Sequence, residues 1–251
     1  MTLSLTFFLG AHHPHWLEAA GVPLFVSRRA LARCKRLPRA VATWALDSGG
    51  FTELSMHGRW TLSARDYAAE VRRYRDEIGE LVWAAPNDWM CEPDMLKRTG
   101  LSVEEHQRLT IENYIELSAL APDLPWVPVL QGWEMGDYFE HVEAYARAGV
   151  DLVARPLVGV GTVCRRQNTA RISSLLHCLR HDGLRLHGFG FKRQGLRLAA
   201  EDLVSADSMA WSFTARRNPG IPGHTHKSCA NCMEYALEWR AETLESLGRA
   251  A

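Results

Sequence analysis

The sequence predicts an α/β fold, a (β/α)8 TIM barrel with a small C-terminal appendix. Three observations predict it. Eight short apolar runs alternate with helical patterns, and such alternation implies a parallel sheet. The chain has 251 residues, close to the usual length of a (β/α)8 barrel. No internal repeat and no Gly/Ser-rich or Pro-rich linker divides it. Eight strands in a chain of this length favour closure into a barrel over an open doubly wound sheet.

The expected strands are Leu5–Leu9, Leu24–Val26, Thr43–Leu46, Leu81–Ala85, Trp126–Leu130, Leu152–Ala154, Arg185–Gly188 and Leu203–Ala206. Helices fall between them. Ser63 is placed to cap a helix in which Tyr67, Val71 and Tyr74 share one face. Ser102 with Glu105 makes a capping box for the helix through Tyr114 and Leu117. Asp137 to Ala148 reads as a helix stopped by Gly149, and Ala170 to Arg180 as one closed by Gly183. The expected division is a catalytic barrel over residues 1–222 and an appendix over residues 223–251, a metal motif and a long C-terminal helix packed on the barrel.

Composition narrows the function classes. Hydrophobic residues at 47% and charged residues at 23% describe a soluble chain with a core. Lys+Arg and Asp+Glu are equal at 29 each, which excludes a global pull toward a polyanion. Nucleic-acid contact then needs a local patch. Arg28, Arg29, Arg33, Lys35, Arg36 and Arg39 form a basic cluster that reads equally as such a patch or as a solvated face. The apolar run at the N-terminus lacks a basic region before it and meets His12 and His13 directly after it, so a signal peptide is not expected. No apolar run approaches the ~20 residues that cross a bilayer. The expected compartment is the cytoplasm, with no membrane partner. Cys34, Cys91, Cys164 and Cys178 are scattered and read as ordinary reduced thiols.

In a barrel of this type the strand C-termini hold the chemistry. Past the expected strands lie His12, His13 and His15, then Asp47-Ser48-Gly49-Gly50-Phe51, then Asn87-Asp88-Trp89. Further on come Gln131-Gly132-Trp133, Gly159-Val160-Gly161, Gly190-Phe191-Lys192 and Asp207-Ser208. Three carboxylates at one mouth repel one another, which separates their pKa values and permits different roles. One can attack a sugar anomeric carbon, and a second can carry protons to and from a leaving base. A third, with a glutamine, can read a purine edge. Glycines let backbone approach a flat ligand, and Phe51 can stack on it. Taken singly, each aspartate also fits a helix cap or turn. His12, His13 and His15 fit either a phosphate or substrate contact or plain structural roles. Trp133 fits base stacking or core packing. Lys192 and Arg193 fit a phosphate contact or solvated charge.

The spacing His224-x-His226-x2-Cys229-x2-Cys232 is the strongest local signal. Two imidazoles and two thiolates suit tetrahedral Zn2+. With all four bound no position stays open for water, so the zinc is expected to be structural.

From Leu46 to about Cys232 the chain resembles the tRNA-guanine transglycosylase superfamily, and within it the deazapurine DNA-modification branch. Leu46-Asp47-Ser48-Gly49-Gly50-Phe51 resembles the family's aspartate-serine-glycine-glycine-aromatic motif. Asp88 falls at the base-reading aspartate. Val129-Leu130-Gln131-Gly132 resembles the glutamine-glycine strand end. Leu157-Val158-Gly159-Val160-Gly161 resembles the glycine loop under the base. His187-Gly188-Phe189-Gly190 resembles the next strand end, and Ala206-Asp207-Ser208 falls at the nucleophile. The resemblance implies a ping-pong exchange in which Asp207 attacks C1′ of a guanosine nucleotide and guanine departs. A 7-deazaguanine-type base then enters, Asp47 takes its proton, and the base displaces Asp207. It implies Asp47 and Asp207 as catalytic, and Ser48, Phe51, Asp88, Gln131, Gly132, Gly159 and Gly161 as substrate-binding. It implies no redox or nucleotide cofactor. The family's zinc site has three cysteines and a distant histidine. Here His224, His226 and Cys229 take the spacing of the three cysteines, and Cys232 the fourth place.

The expected partner is nucleic acid, DNA ahead of tRNA. The alternatives are a glycosidase or transferase on free nucleosides or nucleotides, and a non-catalytic nucleic-acid-binding barrel. A homodimer is compatible with the sequence, which does not decide it.

Overall fold

The structure is a computed structural model that describes residues 5–164, 166 and 169–248. Its eight strands are β1 (Thr6–Ala11), β2 (Leu24–Ser27), β3 (Trp44–Asp47), β4 (Leu81–Ala84), β5 (Val129–Leu130), β6 (Val158–Val160), β7 (Leu186–Gly188) and β8 (Ser205–Ser208). They form one sheet in the order β4-β3-β2-β1-β8-β7-β6-β5, parallel at every pairing. The two ends of that order meet at a parallel bridge between Ala84 and Trp126. There the Ala84 N–H donates to the Pro125 carbonyl at 3.0 Å, and the Val127 N–H donates to the Ala84 carbonyl at 3.2 Å.

Ten α-helices surround the strands among the described residues. They are α1 (Arg28–Leu31), α2 (Gly50–His57), α3 (Ala64–Ile78), α4 (Pro93–Thr99), α5 (Val103–Leu120), α6 (Met135–Arg147), α7 (Ala170–His181), α8 (Arg193–Ala199), α9 (Ala210–Ala215) and α10 (Met233–Gly248). The caps fall where the side chains dictate. Ser63 Oγ accepts the Asp66 N–H, and Ser102 with Glu105 closes both bonds of a capping box. The helix expected to begin at Asp137 starts at Met135, because Asp137 closes a box with Glu134 from inside the first turn.

The two-residue period of the strands sorts the core. Phe8, Ala45, Trp83, Ala85, Val127 and Leu157 form a buried cluster with Phe25 and Phe189. Drawn from strands and strand approaches all round the ring, these side chains can meet only inside the barrel. Their neighbours in sequence, Leu9, Val26, Trp44, Leu46 and Val158, belong to the larger core shared with the helices. Each such side chain contributes roughly 1.5–3 kcal/mol on leaving water. Trp44 also donates its indole N–H to the Gly79 carbonyl at the end of α3, at 2.6 Å.

One strand lies elsewhere than expected. Leu152–Ala154 is turn, and the sixth strand is Val158–Val160. The glycine there is what disguises it. A Cβ on Gly159 would stand 2.6 Å from Phe189 Cε2, so the interior layer leaves no room for a side chain.

α10 belongs to the same core. Its Ala236, Trp239 and Leu247 are buried in the main cluster. Arg240 donates to the Phe7 carbonyl at 3.1 Å, and Arg193 of α8 donates to Thr243 Oγ1 at 2.8 Å and the Trp239 carbonyl at 3.1 Å. Arg193 therefore pins α10 rather than offering a free phosphate contact. No described helix is long and apolar enough to cross a membrane.

Candidate active site and candidate metal centre

Alternation along the strands delivers the polar residues to one place. Ala45 lies inside the barrel, so Asp47 two residues on points inward at the strand end. The same step leads from Val127 to Val129 to Gln131, and from Ser205 to Asp207. A cavity of about 370 Å³ opens there. It is lined by Asp47, Phe51, Asp88, Gln131, Gly161 and Asp207 of the expected residues. A volume of this size fits a small molecule. Phe51, half exposed, stands at its mouth.

The other three expected substrate residues lie behind this lining. Ser48 is buried and donates to Asp88 Oδ1 at 3.3 Å. Gly132 packs against Asp137 and Tyr138, and Gly159 beneath Phe189. Gly161 does line the cavity, and a Cβ on it would collide with the Gln131 amide.

The hydrogen bonds fix how the polar groups present themselves. Gln131 Nε2 donates to Asp88 Oδ2 at 2.5 Å. Thr162 Oγ1 lies 2.6 Å from Gln131 Oε1 and 3.3 Å from Glu92 Oε2, and accepts the Cys91 N–H at 2.9 Å. These bonds set the amide with its N–H end toward Asp88 and its oxygen toward Thr162. His141 is buried beneath, and its Nδ1 accepts the Gln131 backbone N–H at 2.9 Å. Burial lowers its pKa to about 4, which keeps it a neutral acceptor.

The carboxylates differ. Burial chiefly, then the charge of Asp47, raises the Asp88 pKa to about 7. Asp47 is also raised, by burial first and by Asp207 last, while the Gly49 N–H and Ser27 pull the other way. That Gly49 bond, 3.1 Å to Asp47 Oδ1, depends on a left-handed backbone at φ +83°, which favours glycine. Asp207 Oδ1 accepts the Gly190 N–H at 2.9 Å.

Sequence reasoning missed Glu92 and Thr162, which both line the cavity. Thr162 carried a signal only in three dimensions, a left-handed φ of 55° that is uncommon for a β-branched residue. Trp133 lies outside the cavity, under the Arg166 guanidinium at 4.0 Å. The three histidines after β1 do not line the cavity either. His12 Nε2 bonds Ser212 Oγ at 2.9 Å, and His13 stacks on His15. Half of the basic cluster is spent on structure. Arg28 pairs with Glu70 at 2.7 Å, Arg29 with Glu53 at 3.0 Å, and Arg39 donates to carbonyls at the end of α3.

His224, His226, Cys229 and Cys232 come together with their ligand atoms within 4.8 Å of one another. His224 Nδ1 lies 3.7 Å from Cys232 Sγ and 3.9 Å from Cys229 Sγ, and His226 Nε2 lies 3.1 Å from Cys229 Sγ. The other nitrogen of His224 meets Glu234 Oε2 at 3.1 Å. Metal-ligating histidines are commonly oriented in this way by a carboxylate. The donor set fits a metal ion.

The chain matches, over residues 3–249, the model of the family described as DpdA, deoxypurine in DNA protein A. It belongs to that family. Membership implies a role in deazapurine modification of DNA. No curated protein matches the chain. Among solved structures, a pyruvate carboxylase from Rhizobium etli with the allosteric activator acetyl coenzyme A aligns at 11% identity and a TM-score of 0.36. That alignment covers 97% of this chain but only 25% of the carboxylase, and carries no argument here.

Proposed function

We propose that this protein exchanges a guanine-type base in DNA for a 7-deazaguanine-type base through a covalent aspartyl intermediate. The observation that carries the reading is the convergence of Asp47, Asp88, Gln131 and Asp207 on one cavity of about 370 Å³. Family membership supports the choice of a transglycosylase and of DNA over tRNA.

In this mechanism a carboxylate oxygen of Asp207 bonds to C1′ as the C1′–N bond breaks. Asp47 acts as the acid and gives a proton to the departing guanine, a role that burial favours by raising its pKa. It then takes a proton from the incoming base, whose nitrogen attacks C1′ and releases Asp207 as carboxylate. Proton and bond counts are restored, and the glycosidic bond energy is kept in the ester. Asp88 accepts from the purine N–H groups, Gln131 donates to its carbonyl, and Phe51 covers its face. The four-residue cluster holds Zn2+ as a structural ion, which supplies rigidity and no chemistry at the cavity. The protein acts without a membrane partner, in the cytoplasm.

The test uses a guanine-containing DNA and labelled guanine. The wild-type protein forms a DNA adduct on a denaturing gel. Asp207→Asn forms none, and Asp47→Asn slows exchange by about 10²–10⁴-fold. An Asp207→Asn protein that exchanged guanine at the wild-type rate would exclude the mechanism.

A further inference from the structure

His187 is wholly buried on β7 and takes no part in the mechanism above. Its ring sits in an aromatic cage inside the barrel, 4.6 Å from Trp83, 4.7 Å from Phe189 and 5.9 Å from Phe25. Two polar atoms face it. Nδ1 lies 2.8 Å from Ser205 Oγ, and Nε2 lies 3.3 Å from Asp207 Oδ1. The sheet register explains the pair. His187 stands opposite Ser205, and Asp207 follows two residues later on the same inward side of β8.

The Nε2 contact is close in distance but lacks hydrogen-bond geometry, and Nε2 is otherwise a buried nitrogen without a partner. Leaving such an atom unpaired costs stability, and an apolar side chain would fill the same cage without that cost. The nitrogen is better explained by something it does when the site is at work. Hydrogen bonds at active sites are often long in the free protein and tighten when substrate binds.

We propose that His187 is a positioning residue for Asp207, which it holds through Nε2–H. The inference rests on the reading of Asp207 as nucleophile. With Ser205 donating to Nδ1, the ring proton sits on Nε2, 3.3 Å from Oδ1, and a small shift on substrate binding would bring the two into line. The Gly190 N–H donates to the same oxygen at 2.9 Å. Two donors on Oδ1 leave Oδ2 as the oxygen that bonds to C1′ while the C1′–N bond breaks. In the ester, Oδ1 is the carbonyl oxygen. When the incoming base attacks C1′, the C1′–Oδ2 bond breaks and its electron pair returns to the carboxylate. The same two donors then stabilise the charge that reappears.

The experiment compares His187→Phe, His187→Gln and Ser205→Ala in base exchange, with folding followed by circular dichroism. A glutamine can return an N–H near the place of Nε2, and phenylalanine cannot. The expected result is a kcat lowered about 10²-fold or more in His187→Phe, with KM for the base within about twofold of wild type. His187→Gln should recover at least about tenfold of that loss. Should His187→Phe not fold, Ser205→Ala carries the test, with a kcat lowered about tenfold at unchanged KM. A kcat within about threefold of wild type in the variant that carries the test, or a glutamine variant no faster than the phenylalanine one, overturns the proposal. Asp207→Asn is run beside them. If it abolishes the adduct while His187→Phe behaves as wild type, only the role of His187 fails. If it still exchanges, the nucleophile reading fails as well.

Discussion

Asp88 sits where its charge is least welcome, and that gives it a titration inside the working range. Its ordinary value is 3.8, and burial with Asp47 nearby lifts it to about 7. Between those two values the folded protein keeps a proton that the unfolded chain has released. This group therefore favours folding below about pH 4 and loses that contribution as pH rises toward 7. Asp88→Asn removes the linkage. Measured by thermal melts from pH 4 to 7.5, the variant should gain stability relative to wild type as pH rises. A constant difference across the window would mean that Asp88 is already ionised in the fold. The binding consequence has the opposite sense. A carboxylate accepts purine N–H groups and a carboxylic acid does so poorly, so guanine affinity should climb through about pH 7 and Asp88→Asn should bind about 10–100-fold more weakly. Calorimetric titration across that range reads both. At this scale the sequence was partly legible. Asp47, Asp88, Gln131 and Asp207 could be found because they follow strands and match an ordered set of motifs. Ser48 sits in one of those motifs, yet its hydroxyl meets Asp88 behind the cavity lining. Thr162 and Glu92 could not be found, because their place depends on a loop conformation with no apolar period to announce it.

α5 shows how an element places such a residue. Its buried face is not apolar throughout. His106, Thr110 and Asn113 recur at helical spacing on the side facing the loop after β4. His106 Nδ1 bonds the Met90 carbonyl at 2.7 Å, Thr110 Oγ1 accepts the Trp89 N–H at 2.9 Å, and Asn113 Oδ1 accepts the Asn87 N–H at 2.8 Å. Gln107 on the same helix donates to the Gln131 carbonyl at 2.8 Å. The loop that carries Asp88 is thus held by a helix that lies outside the cavity. Burial lowers the His106 pKa and so favours the neutral ring, whose Nδ1 meets the Met90 carbonyl while Nε2 lies 2.8 Å from Thr99 Oγ1. Thr110→Val keeps the shape of the side chain and strands the Trp89 N–H. It should cost about 1–3 kcal/mol in denaturant unfolding and raise KM for the base more than it lowers kcat. A variant with wild-type unfolding and KM would show that the loop holds itself. The ends of α5 were readable because Ser102 and Glu105 carry a local signature. Its polar face was not, since the partners are backbone groups sixteen to twenty-six positions away. β6 was misplaced for a related reason. Gly159 yields its space to Phe189, and that need belongs to the barrel interior, not to the segment.

At the scale of the whole molecule the ring of strands was legible because strand and helix alternate, whereas the individual contacts that seal its end were not. The metal motif and the helix after it read in sequence as an appendix packed on the barrel, and particular contacts make that packing. Ser212 of α9, the helix that follows β8, donates to the Ala230 carbonyl in the metal loop at 2.8 Å and meets His12 at the end of β1 at 2.9 Å. Cys229 is buried, and its sulfur accepts the Ile221 N–H at 3.4 Å. α10 leaves this loop and carries Trp239 and Leu247 into the main core. A metal bound by the four residues would therefore brace the junction of β1, β8 and α10, through which the chain returns from Asp207. Its removal should be felt as lost folding free energy. Purified protein should carry about one equivalent of zinc. Chelation, or Cys229→Ser, should lower the melting temperature by roughly 5–10 °C, about 2–3 kcal/mol for a chain of this size. Since four protein ligands would leave the ion no open position, exchange activity below the new melting temperature should stay within about threefold of wild type. A chelated protein that melts as before would remove the structural role, and one that melts as before but loses exchange would move the metal into the chemistry.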